Sequence, residues 1–477
     1  MINFKNKKIY LVGIKGVGLT MLAQFLAKTG NTVSGSDTTE IFLTDRVLRK
    51  EGIEVFSPFA VNNIPERPDV IIYSSAYTAD NNPEMAYLQA QPQLFNKTLV
   101  LSYGEALGAV FNKHYGIAVC GSHGKTTTSA WLGYVLNKAG LAPSVLVGSR
   151  VPQFQGSSLV GKSRYFVAEV DEYQNKLRYF QPSGVVLNNI DFDHPDFFKS
   201  RAAYRAVFRE FIKKIPQNGF LVINDTDQEI KKIKKYCPGK IISYAVITGD
   251  NEPPSRYRAV DYLADNLHLK NNYQFFRVKT GGEELGEFKI SLTGQHNVAN
   301  ALAVIATARR LGVSLVSLKK ALASFQGTDR RTQILGNYQG AIIIDDYAHH
   351  PTEIKATLAG LKERYWQRKL KIVFHPHTFT RTKALFTDFS KSFSLVDELI
   401  VLDIYGSARE KKGGVSSYKL VKEIIRFNKK QTIKQRVIYL STAQKVEDYL
   451  KKNLTAQDLL VLMGAGDVFR IGKHLLS

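Results

Sequence analysis

At 477 residues the chain is long enough for two to four domains, each with its own core. Hydrophobic content of 44% and charged content of 22% are ordinary for a globular protein, and no run approaches the roughly 18 apolar residues of a membrane helix. The formal net charge is +23, but the basic residues are spread along the chain and form no recognisable nucleic-acid-binding signature, so they read as a solvated surface that suits acidic small-molecule substrates equally well.

The N-terminal segment Met1–Lys8 lacks the apolar stretch of a signal peptide and runs directly into a strand. Two cysteines, Cys120 and Cys237, exclude a disulfide framework and a cysteine-based zinc site. A cytoplasmic protein with no membrane insertion is expected. Strand and helix patterns then alternate throughout, which predicts an α/β chain of parallel sheets in three units.

In the first unit, Lys8-Ile-Tyr-Leu-Val-Gly13 reads as a buried strand and Leu19–Lys28 as a helix stopped by Gly30. Between them lies Gly13-Ile-Lys-Gly16-Val-Gly18, and a second strand leads to Ser34-Gly-Ser-Asp37. The spacing is G-x-x-G-x-G with Lys15 in the turn, not G-x-G-x-x-G. This argues against a nicotinamide-dependent oxidoreductase module and for another phosphate-bearing ligand on a Rossmann-like domain. A third strand, Asp69–Tyr73, ends in Ser74-Ser75-Ala76, at the sheet edge where such folds bind ligands.

The second unit starts near residue 109 and carries the most informative segment, Gly121-Ser122-His123-Gly124-Lys125-Thr126-Thr127-Thr128. It lies between an apolar strand and an apolar-periodic helix start. Glycines let backbone N–H groups face a phosphate, the helix N-terminus adds partial positive charge, and Lys125 adds a full one. Thr126 or Thr127 can offer a hydroxyl to magnesium. The ordinary Walker spacing would require glycine at Val119, so the pattern here is the shorter G-x-x-G-K-T. Two following strands end in Glu169-Val-Asp171-Glu172 and in Asn188-Asn-Ile-Asp-Phe-Asp193-His194. Carboxylates and a histidine at strand ends beside a phosphate loop suit a hard cation. Gly294-Gln-His296-Asn297-Val-Ala-Asn300 then opens a helix over Ala299–Leu311.

The third unit follows Phe325-Gln-Gly-Thr-Asp-Arg330-Arg331. Four predicted strands, Ala341–Ile344, Lys371–Phe374, Glu398–Leu402 and Leu459–Leu462, each end in polar or glycine-rich loops: DDYAHHPTE, HPHTFTRT, a segment containing SAREK, and MGAGD. A switch-point cleft collects its functional groups in this way. His349, His350, His375 and His377 invite a zinc reading, but adjacent residues on an extended backbone point apart, and no dedicated transition-metal site is expected.

Taken in order, GIKGVG, SGSD, GSHGKTTT, EVDE, NNIDFDH, GQHNVAN, FQGTDRR, DDYAHHPTE, HPHTFTRT, SAREK and MGAGD resemble the Mur ligase family over essentially the whole chain. DDYAHHPTE and HPHTFTRT look most like the alanine-adding branch. The resemblance implies an α/β fold of three domains. These are a UDP-binding Rossmann-like domain (1–108), a central P-loop-type ATPase with a mixed sheet (109–327), and a C-terminal Rossmann-like domain that closes over both (328–477). It implies ATP-dependent joining of L-alanine to the carboxylate of UDP-N-acetylmuramate through an acyl phosphate, with ATP and Mg2+ required, by a monomer or weak homodimer.

By matching motifs the resemblance assigns the phosphate loop Gly121, Ser122, His123, Gly124, Lys125, Thr126 and Thr127 to ATP. Thr126 and Glu169 would hold one magnesium and His194 would serve a second metal. His296, Asn297 and Asn300 fall to the adenine side, and Asp346 to the ATP ribose. Gly16, Val17, Gly18, Ser36, Asp37 and Ser74 would take the uridine diphosphate, and Arg330 or Arg331 would neutralise phosphate charge. His350, His377 and Arg381 would face the amino acid and the muramyl carboxylate. Departures from the family pattern fall at Lys15, where a second glycine is usual, at Thr378, where the alanine-adding enzymes commonly have arginine, and in the run Tyr173–Leu177. No lysine occurs in Tyr204–Phe211, where other branches carry a carbamoylated one. The NNIDFDHPDFF stretch also resembles the recycling ligases that attach a whole peptide, and a non-catalytic nucleotide-binding relative would keep the same fold.

Overall fold

The computed structural model of the chain describes residues 2–248, 259–281, 283–406, 410 and 413–477. Most of the SAREK segment, with Lys411 and Lys412, lies outside the described residues. Among the described residues no helix is long and apolar enough to cross a membrane.

Three sheets follow one another along the chain. The first has the order Glu54–Phe56, Thr32–Ser36, Lys8–Val12, Val70–Tyr73, Leu99–Ser102, all parallel. Its central strands are apolar along their length because helices and loops cover both faces. The helix after the first strand runs Val17–Lys28, two residues earlier than the apolar period suggests. Val17 and Gly18 are not buried, so its first turn carries no hydrophobic signal.

The second sheet has ten strands. Parallel strands Lys240–Val246, Phe220–Asn224, Gly184–Leu187, Tyr115–Cys120, Tyr165–Glu169 and Ser144–Val151 lie side by side in that order. Tyr262–Lys270 pairs parallel beyond Lys240–Val246 and continues antiparallel into Tyr273–Thr280 and Glu283–Ile290. Gly156–Leu159 closes the opposite edge antiparallel to Ser144–Val151. The expected mixed sheet is thus present. Two adjacent inner strands, Tyr115–Cys120 and Gly184–Leu187, end in the phosphate loop and in the Asn188–His194 segment.

The third sheet has the order Gln333–Tyr338, Ala341–Asp346, Asp458–Met463, Lys369–Phe374, Glu398–Val401, Arg436–Tyr439, antiparallel only at its first pair. The four loops picked out from the sequence therefore leave the same edge. Ala341–Asp346 extends two residues past the apolar run because the buried Asp345 and Asp346 find donors in Arg330 and Thr332.

The first and second units share one apolar core, in which Phe25 sets its edge against Phe166 with ring centroids 5.4 Å apart. Beside it the buried Gln24 carboxamide accepts hydrogen bonds from Ser157 N–H (3.0 Å) and Ser158 Oγ (2.8 Å). The third unit has its own cores. It meets the others through polar contacts, among them Arg150 with Asp329 and Arg470 Nη2 donating to the Ile41 carbonyl at 2.7 Å.

Candidate active site

The buried strand Tyr115–Cys120 delivers the chain into Gly121–Gly124, and the helix Lys125–Lys138 starts at once. Gly121 and Gly124 have φ of 120° and 78°, and a Cβ on Gly124 would lie 2.5 Å from Asn300 Oδ1, so only glycine fits there. The loop is braced from outside. Ser122 Oγ donates to the Asp191 carbonyl (2.6 Å), accepts the Asp191 N–H (2.8 Å) and contacts the Tyr204 hydroxyl (2.8 Å). Asn189 Oδ1 accepts the His123 N–H, while Asn188 Nδ2 donates to the His123 carbonyl and to Thr128 Oγ1. Thr128 in turn donates to Asn300. A loop held this firmly can present its N–H groups without rearranging.

Lys125 Nζ donates to the Gly121 and Ser122 carbonyls and pairs with Glu172 at 3.3 Å. Burial works against its charge, but Glu172, Glu169 and Asp171 together raise its pKa. One residue on, Thr126 Oγ1 donates to Glu169 Oε1 at 2.9 Å, while Glu169 Oε2 accepts the Gly148 N–H. Thr127 is buried beside it. His194, at φ 55°, places Nε2 3.8 Å from Glu172 Oε1 and packs on Tyr173 with ring centroids 4.6 Å apart. Hydroxyl, carboxylates and imidazole converge at the helix start, a donor set that fits a magnesium ion through its oxygens.

The third unit reaches this region through two contacts, the first of them buried. Arg381 donates from Nε and Nη2 to the two carboxylate oxygens of Asp193 at 3.0 and 3.2 Å, and its Nη1 lies 3.2 Å from His377 Nδ1. Burial opposes ionisation of Asp193, yet Arg381 holds it well below the usual carboxylate range. His377 stacks on Tyr405 and its pKa falls to about 4, from burial first and Arg381 second.

The second contact is a clamp on the phosphate loop. His123 Nε2 lies 3.0 Å from Asp191 Oδ2, its Nδ1 lies 3.4 Å from Glu353 Oε1, and its ring packs on His350 with centroids 4.7 Å apart. Burial alone would depress His123, but the two carboxylates win and raise it to about 9. Asp191 also accepts from Thr352 Oγ1 at 2.5 Å. Glu353 further gathers the His349 N–H and Arg331, which lies 3.6 Å away. The adjacent histidines diverge as expected: His350 joins His123 and Asp191, while His349 hydrogen-bonds the Tyr347 carbonyl and faces His377. Donor atoms of His123, Asp191 and His350 lie within 4.8 Å of one another, but His350 Nδ1 already accepts the Thr352 N–H.

On the far side of the loop, Asn297 donates to the Thr293 carbonyl and accepts from Asn300. Burial and then Arg331 lower the His296 pKa to about 4. The two adjacent arginines separate. Arg330 is consumed by Asp345 and by the carbonyls of Gly464, Ala465 and Gly466. Arg331 faces Glu353, Asp346 and Glu169, which hold its pKa up against burial. Asp346 itself accepts from Thr332 N–H and Oγ1 and from the Ala348 N–H.

In the first unit, Gly16, Val17, Gly18 and Ser74 line a cleft of ≈280 Å³ that also reaches Glu169. The expected nucleotide and metal residues thus share one space. Ser36 lies beneath it, fully buried, donating to Glu84 at 2.5 Å. Asp37 accepts the N–H groups of Lys15 and Thr38. Lys15 turns inward, its Nζ donating to the Thr38 and Glu40 carbonyls and lying 3.4 Å from Asp45.

Asp191, Tyr204 and Thr352 were not singled out from the sequence, although all three touch the loop or its clamp. Tyr204 falls in the Tyr204–Phe211 run, noted in the sequence only for its lack of lysine.

Consecutive stretches match three models of one family: "Mur ligase family, catalytic domain" over residues 8–115, "Mur ligase middle domain" over 119–308, and "Mur ligase, glutamate ligase domain" over 330–466. The UDP-N-acetylmuramate–L-alanine ligase of Desulfitobacterium hafniense (strain Y51) is 37% identical over 469 residues, 98% of this chain and 99% of that protein. The chain belongs to the Mur ligase family. A second Mur ligase, the UDP-N-acetylmuramate–L-alanine ligase of Alkaliphilus metalliredigens (strain QYMF), is 36% identical over 99% of this chain and 97% of its own length. The solved UDP-N-acetylmuramate–alanine ligase of Thermotoga maritima shares the fold, with a TM-score of 0.80 at 24% identity over 99% of this chain and 98% of that one. As a Mur ligase the chain is an ATP-dependent amide-forming enzyme.

Proposed function

We propose that this Mur ligase joins the amine of L-alanine to the lactyl carboxylate of UDP-N-acetylmuramate at the expense of ATP, in cytoplasmic peptidoglycan precursor synthesis. One observation carries the reading: the cleft lined by Gly16–Gly18 and Ser74 opens onto Glu169, beside Lys125 and Thr126. A nucleotide sugar bound at one end would present its carboxylate to ATP bound at the other. Relatives carrying that activity in their names align along their whole length and support the choice of substrates.

A carboxylate is a poor electrophile, so the terminal phosphoryl group of ATP must first be transferred to it. The amine then attacks the acyl phosphate, and the tetrahedral intermediate collapses with loss of phosphate. The protein's part is alignment and charge neutralisation. Lys125 would exchange its carbonyl partners for the β- and γ-phosphates. Thr126 and Glu169 would hold one magnesium ion, with His194 near a second; bound there, the metal neutralises charge on the transferring group. Arg331, which unlike Arg330 is not consumed by backbone carbonyls, would direct its charge at the nucleotide. His296, Asn297 and Asn300 would contact adenine, and Asp346 would shape the turn at the ribose. Gly16, Val17 and Gly18 would bind the diphosphate at their helix N-terminus, with Ser74, and with Ser36 and Asp37 beneath as framework. His350, His377 and Arg381 would face the incoming amino acid and the muramyl carboxylate.

Phosphate release from ATP, measured with UDP-N-acetylmuramate and a panel of amino acids plus the cell-wall tripeptide, tests the reading. Release is expected with L-alanine; release with tripeptide alone would overturn it.

A further inference from the structure

We propose that Lys176 is a substrate-binding residue, its ammonium taking an oxyanion of the nucleotide sugar in the cleft between the first and central units. The inference rests on the substrate reading above and identifies the group that meets the substrate's charge.

Among the described residues lining that cleft, Lys176 alone is positively charged, while Glu169 and Asp171 are both negative. A nucleotide sugar carries negative charge at its diphosphate and at its lactyl carboxylate, and two lining carboxylates would repel it. The helix N-terminus at Gly16–Gly18 supplies only a partial charge, and Lys125 is directed into the phosphate loop. Lys176 offsets Asp171 and brings the one full positive charge among the described lining residues to the cleft wall, where an anionic ligand needs a cationic donor.

Its placement is built. Gln174 and Asn175 both adopt left-handed backbone, with φ of 56° each, which two non-glycine residues in succession rarely do. This kink turns the chain so that Lys176 faces the cleft. Asp171 accepts from Lys176 Nζ through both carboxylate oxygens, at 2.8 and 2.9 Å. An ammonium has three N–H donors, so this pairing fixes its position and leaves one donor for a ligand. Nζ also lies over the rings of Tyr103 and Tyr173, 5.8 and 5.6 Å from their centroids. Tyr103 in turn packs so closely on Gly18 that a Cβ there would come within 2.8 Å of its ring. Lys176 is thereby tied through one aromatic ring to the helix start that the diphosphate would approach. A lysine serving only to pair with Asp171 would need neither the cleft position nor the kinked approach.

Calorimetric titration of the full chain with UDP-N-acetylmuramate and with UDP-N-acetylglucosamine, which keeps the diphosphate but lacks the lactyl carboxylate, tests this. Lys176→Gln should weaken UDP-N-acetylmuramate binding about tenfold or more, the effect of losing one charged hydrogen bond, and leave ATP binding unchanged. Equal loss for both sugars assigns the diphosphate; loss confined to the muramyl sugar assigns the carboxylate. The double variant Asp171→Asn/Lys176→Gln removes the ion pair as a unit, leaves neither charge unpaired, and should also bind UDP-N-acetylmuramate more weakly than the wild type, by less than Lys176→Gln because the Asp171 repulsion goes with it. Wild-type affinity for both sugars in either folded variant overturns the inference while sparing the substrate reading. Failure of the wild-type chain to bind either sugar overturns both.

Discussion

Arg381 of the third unit and Asp193 of the central unit form a two-point ion pair with both side chains buried, next in sequence to His194 and in hydrogen-bond contact with His377. The pair therefore joins two units at the point where their functional loops meet. Asp193→Asn leaves the guanidinium uncompensated, at a cost of about 3–5 kcal/mol if it stays buried. Undocking of the third unit relieves that cost. The expected outcome is a larger radius of gyration by X-ray scattering, unchanged far-ultraviolet circular dichroism, and turnover reduced by about a hundredfold or more. A variant as compact and active as the wild type would contradict this.

Lys125→Ala should abolish phosphoryl transfer, lowering ATP-dependent acyl-phosphate formation by roughly a thousandfold. The fold should survive, because the loop is braced by Asn188, Asn189, Asp191 and Asn300 and not by the lysine alone. Acyl-phosphate trapping together with thermal unfolding separates the two effects.

Glu169→Gln should raise the magnesium concentration needed for half-maximal turnover by about tenfold or more, since a neutral amide is a weaker partner for a hard cation. ATP affinity without magnesium should be unchanged. The readout is turnover across a magnesium titration; superimposable curves would remove Glu169 from the metal site.

The clamp on His123 gives a pH signature of defined sign. Its pKa is raised from 6.5 to about 9 by Asp191 and Glu353, against burial. A raised pKa stabilises the folded, docked state in full below about 6.5, and the stabilisation is lost as pH climbs through about 9. Thermal unfolding of the wild type should show declining stability across that window. His123→Gln should flatten the decline, and an equal slope in both proteins would show that another group titrates there.

Thr378 holds φ at 68°, costly for a β-branched residue by about 1–3 kcal/mol, while its hydroxyl caps the short helix Phe379–Ala384 through a long 3.4 Å contact. Thr378→Gly relieves the strain and loses the cap; Thr378→Ala loses the cap and keeps the strain. The glycine variant should unfold at a higher temperature than the alanine variant, with a difference of about 1–2 kcal/mol.

What the sequence made legible was local. The Gly121–Thr128 turn and the shared edge of the third sheet follow from short spacings and strand order, while the pairing of Thr126 with Glu169 came from the family resemblance. Lys15 looked like an intrusion into a ligand turn, because a sequence does not show which way a side chain points; it turns inward to hold the Thr38–Asp45 loop. Arg330 and Arg331 were indistinguishable for the same reason, since only tertiary packing places three carbonyls around the first. The clamp of Asp191, Thr352 and Glu353 was invisible because it joins residues about 160 positions apart in different units.

The uneven joins between units have a kinematic consequence. Separating the first unit from the second would expose Phe25, Phe166 and the apolar core they share, whereas the third unit is held by ion pairs and hydrogen bonds that water can replace. The molecule thus has one wettable seam and one dry one. Moving the third unit away would exchange protein partners for solvent while wetting little hydrocarbon, whereas moving the first would wet the shared core.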